Sequence, residues 1–294
     1  MIEASRCVLC EGEIKQIQRA LVAPFLATRI WNRAPFCVNL VQCETCDFMF
    51  YNPRLEPSEE QRLYAGYRDS EYQRMRHASE PWYTVRVNAS LASVSSYKRR
   101  QQALRAVLRS HAGDRHIRSV LDYGGDRGDL VCGLVEDATA FVYDISGIEP
   151  AAGVISTTDP AGCKPDLIIS SNVLEHVGSP RNVVSEMCAA APPNSMLFIE
   201  VPRESPFAKK RIFRRIAQVG LMVLVRPALI RSVIRPESLF MMHEHINYFS
   251  ERSLTALIGA CGCELVAAGA YVIEGPLEKG EMAWCLAKPR KTAP

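Results

Sequence analysis

The chain has 294 residues, a net charge of +3, 48% apolar and 23% charged side chains, 17 Gly and 18 Pro. These proportions exclude collagen-like, coiled-coil and wholly disordered chains, and the length suits one large domain with a smaller attachment. The apolar run Leu221–Val225 falls far short of the roughly 20 residues of a membrane span, and the first residues lack the basic-then-apolar pattern of a signal peptide, so a cytoplasmic protein is expected.

Five of the 11 cysteines fall within the first 46 residues. Cys7-Val-Leu-Cys10 and Cys43-Glu-Thr-Cys46 form two Cys-x-x-Cys pairs, each able to turn two thiolates toward one ion. In a reducing compartment the two pairs point to a tetrahedral four-thiolate zinc site with a structural role. Phe36–Val41 reads as a short strand between them, so the knuckles sit on a small antiparallel ribbon, with Gly12 and Asp47 in the left-handed conformation. Cys37 is left to packing, and residues 1–56 read as a zinc-binding module.

Residues 57–117 read as a helical, substrate-side segment. Ser58-Glu-Glu-Gln61 looks like a capping box after Pro57, and Tyr64, Tyr67, Tyr72, Trp82 and Tyr83 make the stretch aromatic. The basic helix carrying Lys98, Arg99, Arg100, Arg105 and Arg109 reads as a solvated face. Strands are then expected at Ser119–Tyr123, Thr139–Asp144, Gly153–Thr157, Pro165–Ser171 and Met196–Val201. A helix bearing Leu130, Val131, Leu134 and Val135 should follow the first of them, and others should follow the caps Ser179-Pro180 and Ser250. Glu264–Ile273 and Met282–Ala287 read as a closing strand pair. The alternation predicts an α/β fold, a mostly parallel sheet with helices on both faces.

One segment interrupts this pattern. Between Pro206 and Pro236 there is no acidic residue and there are eight Lys and Arg, so the remainder of the chain is left at −5. Phe213, Ile216, Val219, Leu221–Val225 and Leu229–Ile230 supply an apolar component. Residues 206–242 therefore read as a basic amphipathic insertion: a helical hairpin packed apolar side inward, a lid, or a peripheral contact of 206–236 with an anionic membrane.

Asp122-Tyr-Gly124-Gly125-Asp126-Arg127-Gly128 stands at a strand-to-helix junction, where a Gly-rich turn lets a ligand approach the backbone. Asp144 closes the next strand 22 residues after Asp122, where an acidic side chain meets ribose hydroxyls. The two together point to an adenosine-containing ligand. A histidine with near-neutral pKa on a loop after the fifth strand, His245 beside Glu244, would serve as general base for a weak hydroxyl nucleophile.

Val120–Gly128, Tyr143-Asp-Ile-Ser146, Pro165–Val177 and Leu197-Phe-Ile-Glu-Val-Pro202 resemble the successive motifs of class I S-adenosylmethionine-dependent methyltransferases, over about 118–205 and 243–288. The resemblance implies a Rossmann-like core over 118–205 and 243–290. It places Gly124 and Gly128 beside the methionine part of the cofactor, Asp144 on the ribose and Asp159 or its neighbours near the adenine, with Asp122 also among the cofactor-binding residues. The two Cys pairs, Phe50-Tyr-Asn-Pro-Arg54 and His243-Glu-His-Ile-Asn-Tyr-Phe-Ser250 are further similar to zinc-containing deoxysugar methyltransferases and their surface-glycan relatives. That narrower likeness implies a sugar-type small-molecule acceptor, methylated on oxygen or carbon, and catalytic roles for His176, Glu244 and His245. Asp126 and Met242 stand where those patterns have glycine and tyrosine. Two other readings exist: an RNA methyltransferase gripping nucleic acid through its basic helices, disfavoured by the near-neutral charge, and a non-catalytic scaffold with a degenerate cofactor turn. The sequence carries no signal for an oligomeric state.

Overall fold

A computed structural model describes residues 1–91, 94–113, 115–274 and 279–290. The N-terminal part is a four-stranded antiparallel sheet. Its strands are β1 (Ile14–Leu21), β2 (Cys37–Cys43) and β3 (Met49–Asn52), with helix α1 (Pro24–Trp31) between the first two. The sequence reading missed β1 and α1, because Ile-Lys-Gln-Ile-Gln-Arg does not alternate and α1 buries Pro24, Phe25, Leu26, Ala27 and Ile30. The fourth strand comes from far along the chain: β9 (Asn247–Tyr248, numbered in chain order) pairs with Met49 and Phe50. The segment His243–Ser250 is thereby fastened to the N-terminal sheet.

Helices α2 (Pro57–Tyr64), α3 (Ser70–Ser79), α4 (Val85–Leu91) and α5 (Val94–His111) follow. The cap of α2 lies two residues earlier than expected: Glu56 is the N-cap and Glu59 its reciprocal partner, with Pro57 as first helical residue. The basic face of α5 is not simply solvated. Arg100 pairs with buried Glu200 at 2.6 Å, and Arg105 donates to the carbonyls of Gly133 and Leu134 at 2.6 and 2.8 Å.

Strands β4 (Ser119–Tyr123), β5 (Thr139–Tyr143), β6 (Val154–Ser156), β7 (Leu167–Ser171) and β8 (Met196–Pro202) are mutually parallel. With β10 (Cys263–Glu274) and β11 (Lys279–Pro289) they form a seven-stranded sheet of order β10-β11-β8-β7-β4-β5-β6. Only β11 runs against the others. Helices α6 (Pro180–Ala190) and α9 (Glu251–Ala260) cover one face through Val184, Met187, Leu254, Leu257 and Ile258; α5 covers the other through Leu104, Val107 and Leu108. The α/β fold with helices on both faces is the architecture observed. Ser250 caps α9 as expected, accepting from the Ser253 amide at 3.1 Å.

The helix expected after β4 does not form. Residues 128–135 are a run of turns, because Gly128 and Gly133 adopt φ of 74° and 65°. Turn carbonyls without helical partners need other donors. Gln101 of α5 supplies them to Leu130 and Cys132, each at 2.9 Å, alongside Arg105.

The 206–242 segment packs inward only in part: Met222 and Val233 are buried in the core and Val219, Val223 and Leu229 lie against it, while Phe213, Ile216, Leu224 and Val225 stay exposed. It is one long helix, α7 (Lys209–Val225), followed by short helical turns and α8 (Ile230–Val233). Of α7 only Arg215 and Met222 are buried. No helix among the described residues is long and apolar enough to cross a membrane.

Candidate active site

The sheet order reverses between β4 and β7, the place where open α/β sheets bind ligands beyond the strand carboxyl ends. A cleft of about 1640 Å³ opens there, larger than the roughly 300–1,000 Å³ of a single small-molecule pocket, so two ligands fit side by side.

One end is built by the β4 and β5 turns. Gly124 adopts φ 77°, and a Cβ on it would lie 2.7 Å from Val173; one on Gly125 would lie 2.0 Å from the Asp122 carboxylate. Only glycine lets the backbone line the cleft here. The Asp144 carboxylate accepts the Asp126 and Ser146 amides, each at 2.8 Å, which fixes it at the rim with lone pairs to spare. Asp122 is fully buried with both carboxylate oxygens unpartnered, and burial pushes it up to about 7. A buried carboxylate left without a donor is a place for a ligand cation. Asp126 takes the left-handed conformation, φ 57°, that the usual glycine would take, and its carboxylate faces Arg68 at 3.8 Å rather than Arg127.

The other end is built by the loop after β7, residues 172–178, and by His243–Asn247. Arg54 and Asn247, both buried, clamp the two together. Arg54 donates to the carbonyls of Tyr51, Val177 and Gly178 at 2.9, 3.0 and 2.9 Å and to Asn247 Oδ1 at 2.6 Å. The Asn247 amide donates in turn to Leu174 and Val177, both at 2.7 Å. His176 Nδ1 lies 3.0 Å from the Glu244 carbonyl, which makes it the protonated nitrogen and leaves Nε2 with a free lone pair.

The carboxylate beside His245 is Glu204, not its neighbour Glu244: His245 Nδ1 meets Glu204 Oε2 at 3.0 Å. Burial opposes charge on His245, but Glu204 outweighs it and holds the imidazole above its ordinary pKa. Burial likewise opposes charge on Glu204, and His245 and Arg211 still hold it far below the carboxylate range. The His245 side chain keeps 31% of its surface open, so it remains reachable from the cleft. His176, packed edge-on against it at 4.8 Å, is kept neutral by burial and by that neighbouring charge. Glu175 is buried with neither oxygen hydrogen-bonded, Oε1 standing 3.8 Å from His176 Nε2, and is pushed up to about 7 by burial. Glu175, His176 and His245 offer donor atoms within 4.8 Å of one another, a set that can share a proton or a divalent ion.

Glu244 is engaged elsewhere. It pairs with Arg76 at 2.5 Å and accepts the Tyr72 hydroxyl. Arg76 also holds Glu80 at 2.9 Å, and Glu80 holds His243 at 2.8 Å. Arg215 of α7 reaches the far side of the His243 ring. A phenol thus meets Glu244 from α3, while Met242, where a tyrosine was expected, is buried in the core.

The four N-terminal cysteines converge. All four sulfurs lie within 4.8 Å of one another, with Cys7–Cys46 at 3.7 Å and Cys10–Cys43 at 3.6 Å. A tetrahedral zinc with bonds of about 2.3 Å places its sulfurs roughly 3.8 Å apart, so the donor set matches. Glu11 and Asp47, at φ 61° and 63°, are the left-handed residues of the knuckles. Gly12 is needed for a different reason: a Cβ there would stand 2.4 Å from Thr45 Oγ1. The cluster shares one apolar core with β4, β7 and α6 through Leu9, Phe48 and Phe50.

Asp122, Gly124, Asp144, His176, Glu244 and His245 therefore line one cleft. Gly128 lies off it, against Val142 and Val154, and Asp159 is exposed in a turn that holds Gly162. Sequence reasoning missed Glu204, Arg54, Asn247 and Arg76. The available signal for Glu204 was its position just past β8, at a strand carboxyl end facing the cleft.

Residues 96–268 match the model of a family described as "Methyltransferase domain". Among solved structures, the chain is similar to Burkholderia thailandensis 1,6-didemethyltoxoflavin-N1-methyltransferase with bound 1,6-didemethyltoxoflavin and S-adenosylhomocysteine. Identity is 14%, coverage 86% of this chain and 96% of that one, and the TM-score 0.50. It is more distantly similar to Synechocystis magnesium protoporphyrin IX methyltransferase with bound SAM: 15% identity, 80% and 99% coverage, TM-score 0.43. No curated protein matches.

Proposed function

The chain belongs to the methyltransferase-domain family, and from that premise we propose that it moves a methyl group from S-adenosylmethionine to a sugar-type small-molecule acceptor, with His245 as general base. One observation carries this reading. A single cleft joins a Gly-rich turn with a ribose-ready Asp144 to a histidine paired with a carboxylate. The likeness of the Cys pairs and of the His-Glu-His segment to deoxysugar methyltransferases supports the acceptor class. Residues 1–56, 57–117, 118–205 with 243–290, and 206–242 are read as zinc module, substrate-side segment, core and insertion.

When bound, the cofactor supplies an electrophilic methyl group on a sulfonium. Gly124 and Gly125 admit its methionine portion to the backbone, Asp122 offers a carboxylate to the ammonium group, and Asp144 accepts ribose hydroxyls. A sugar hydroxyl gives its proton to His245 Nε2 as it becomes a nucleophile, and Glu204 stabilises the imidazolium. His176, held neutral, accepts a hydrogen bond from a second hydroxyl and orients the ring. Fixing both reactants in one cleft supplies much of the acceleration.

Asp144→Ala should weaken S-adenosylhomocysteine binding about 10- to 100-fold in calorimetry, the value of losing hydrogen bonds to a charged acceptor. Absence of S-adenosylhomocysteine binding in the unaltered protein would overturn the cofactor assignment. A methyl-transfer screen of nucleotide sugars tests the acceptor, and methylation confined to non-sugar compounds sinks that part. The cysteine cluster is read as a structural zinc site. Cys43→Ser should remove about one equivalent of zinc, measured by elemental analysis, and lower the melting temperature.

A further inference from the structure

Helix α7 buries Met222, with Val219 and Val223 packed beside it, and leaves a second apolar face uncovered. Its inner face carries Arg211, which pairs with Glu204 at 2.7 Å, and Arg215, which is 7% exposed and bonds His243. Its outer face is apolar: Phe213, Ile216, Leu224 and Val225 are 70%, 52%, 79% and 54% exposed. Ile230 and Ile234, just beyond, continue the patch at 45% and 61%. An ordinary surface helix has a single apolar stripe, turned to the core, and no second one facing outward. Exposed apolar residues this dense mark a contact surface rather than scattered surface hydrophobes.

The charge around the patch says what covers it. Lys209, Lys210 and Arg214 are exposed on the first turns of α7, and Arg226 and Arg231 are exposed after it. No acidic residue lies between Pro206 and Pro236. A second copy of the chain laid on this face would oppose like charge to like charge. A bilayer with anionic headgroups meets both halves of the pattern, taking the rings and branched chains among its acyl chains and the cations at its phosphates. Among the described residues no helix is long and apolar enough to span that bilayer, so a contact would run along the face of α7.

We propose that the outer face of α7, with the turns to Ile234, docks the protein on an anionic lipid surface. The docked face adjoins the cleft, since Arg214, Ala217 and Leu221 of α7 line its mouth. Docking therefore turns the acceptor end of the cleft toward the headgroup layer. The docking itself does not depend on which acceptor is methylated.

The test is flotation of the full chain with vesicles of phosphatidylcholine alone and of phosphatidylcholine mixed with phosphatidylglycerol. Binding is expected to the mixed vesicles only, to weaken as salt is raised, and to fall roughly tenfold or more in the double variant Phe213→Glu/Leu224→Glu. Neither residue lines the cleft, so the variant should keep its melting temperature and its S-adenosylhomocysteine affinity, which verifies folding. Failure to float with mixed vesicles overturns the proposal, as does equal binding to neutral vesicles or binding unchanged by the double variant. Self-association of the unaltered chain in sedimentation, abolished by the same variant and without vesicle binding, overturns it in favour of a second copy.

Discussion

Replacing His245 with alanine is expected to lower kcat about 10²- to 10⁴-fold, the span of a positioned general base, while leaving S-adenosylhomocysteine affinity unchanged. The stronger test is the pH profile. His245 accepts a proton only when neutral, and Glu204 at 3.0 Å holds its pKa above the ordinary value of about 6.5. Activity should therefore rise with pH through that elevated pKa. Glu204→Gln removes the main opponent of burial and leaves only Glu175 favouring charge, so the rising limb should move to lower pH while the plateau falls for want of a partner for the imidazolium. A purely structural role for Glu204 predicts a lower plateau with the limb in place, and that outcome would remove the base assignment. Glu175, pushed up to about 7, ionises in the same window, so the limb belongs to the group of interacting sites and the Glu175→Gln variant is the control.

The parts of this site that were legible in the sequence are those where backbone chemistry demands a residue type at fixed spacing. Gly124 could be read because no Cβ fits there, and Asp144 because it ends the strand beside it, whereas the glycine paired with Gly124 in that reading was Gly128, which lies off the cleft, and not Gly125. The Cys pairs could be read because two knuckles suffice for four ligands. What was not legible depends on tertiary meetings. Glu204 reaches His245 across 41 residues, and Arg54 reaches Gly178 across 124. Asp126 looked like a defect in the turn, yet it adopts the glycine conformation and finds its counter-charge in Arg68, on the segment between α2 and α3. The inward-packed reading of 206–236 held for Met222, Val219, Val223 and Val233 and not for Phe213, Ile216 and Leu224, because amphipathicity shows that a helix has faces without showing how much of the apolar surface the protein covers. Two arginines directed at Glu204 and His243 share the inner face with Val219, Met222 and Val223.

Arg54→Ala should be among the most destabilising single changes in the chain, about 3–5 kcal/mol, read from chemical denaturation. The guanidinium is buried and its charge is disfavoured there by burial, with Glu60 opposing that effect. Three carbonyls and the Asn247 side chain lose a donor when it is removed. Part of the cost should appear as function. The carbonyls of Val177 and Gly178 belong to the loop that carries Glu175 and His176, so losing them lets both side chains move against His245 and lowers kcat in whatever protein remains folded. Arg54→Lys separates charge from geometry: one ammonium cannot reach four acceptors spread around a planar fork, so lysine should recover little. Asn247→Ala removes the other half of the clamp. Because both side chains bond the Val177 carbonyl and each other, the double variant should cost less than the two single variants added together, with a coupling of about 0.5–3 kcal/mol. Strict additivity would mean that Arg54 holds the N-terminal sheet alone and that the loop bearing His176 is positioned by something else.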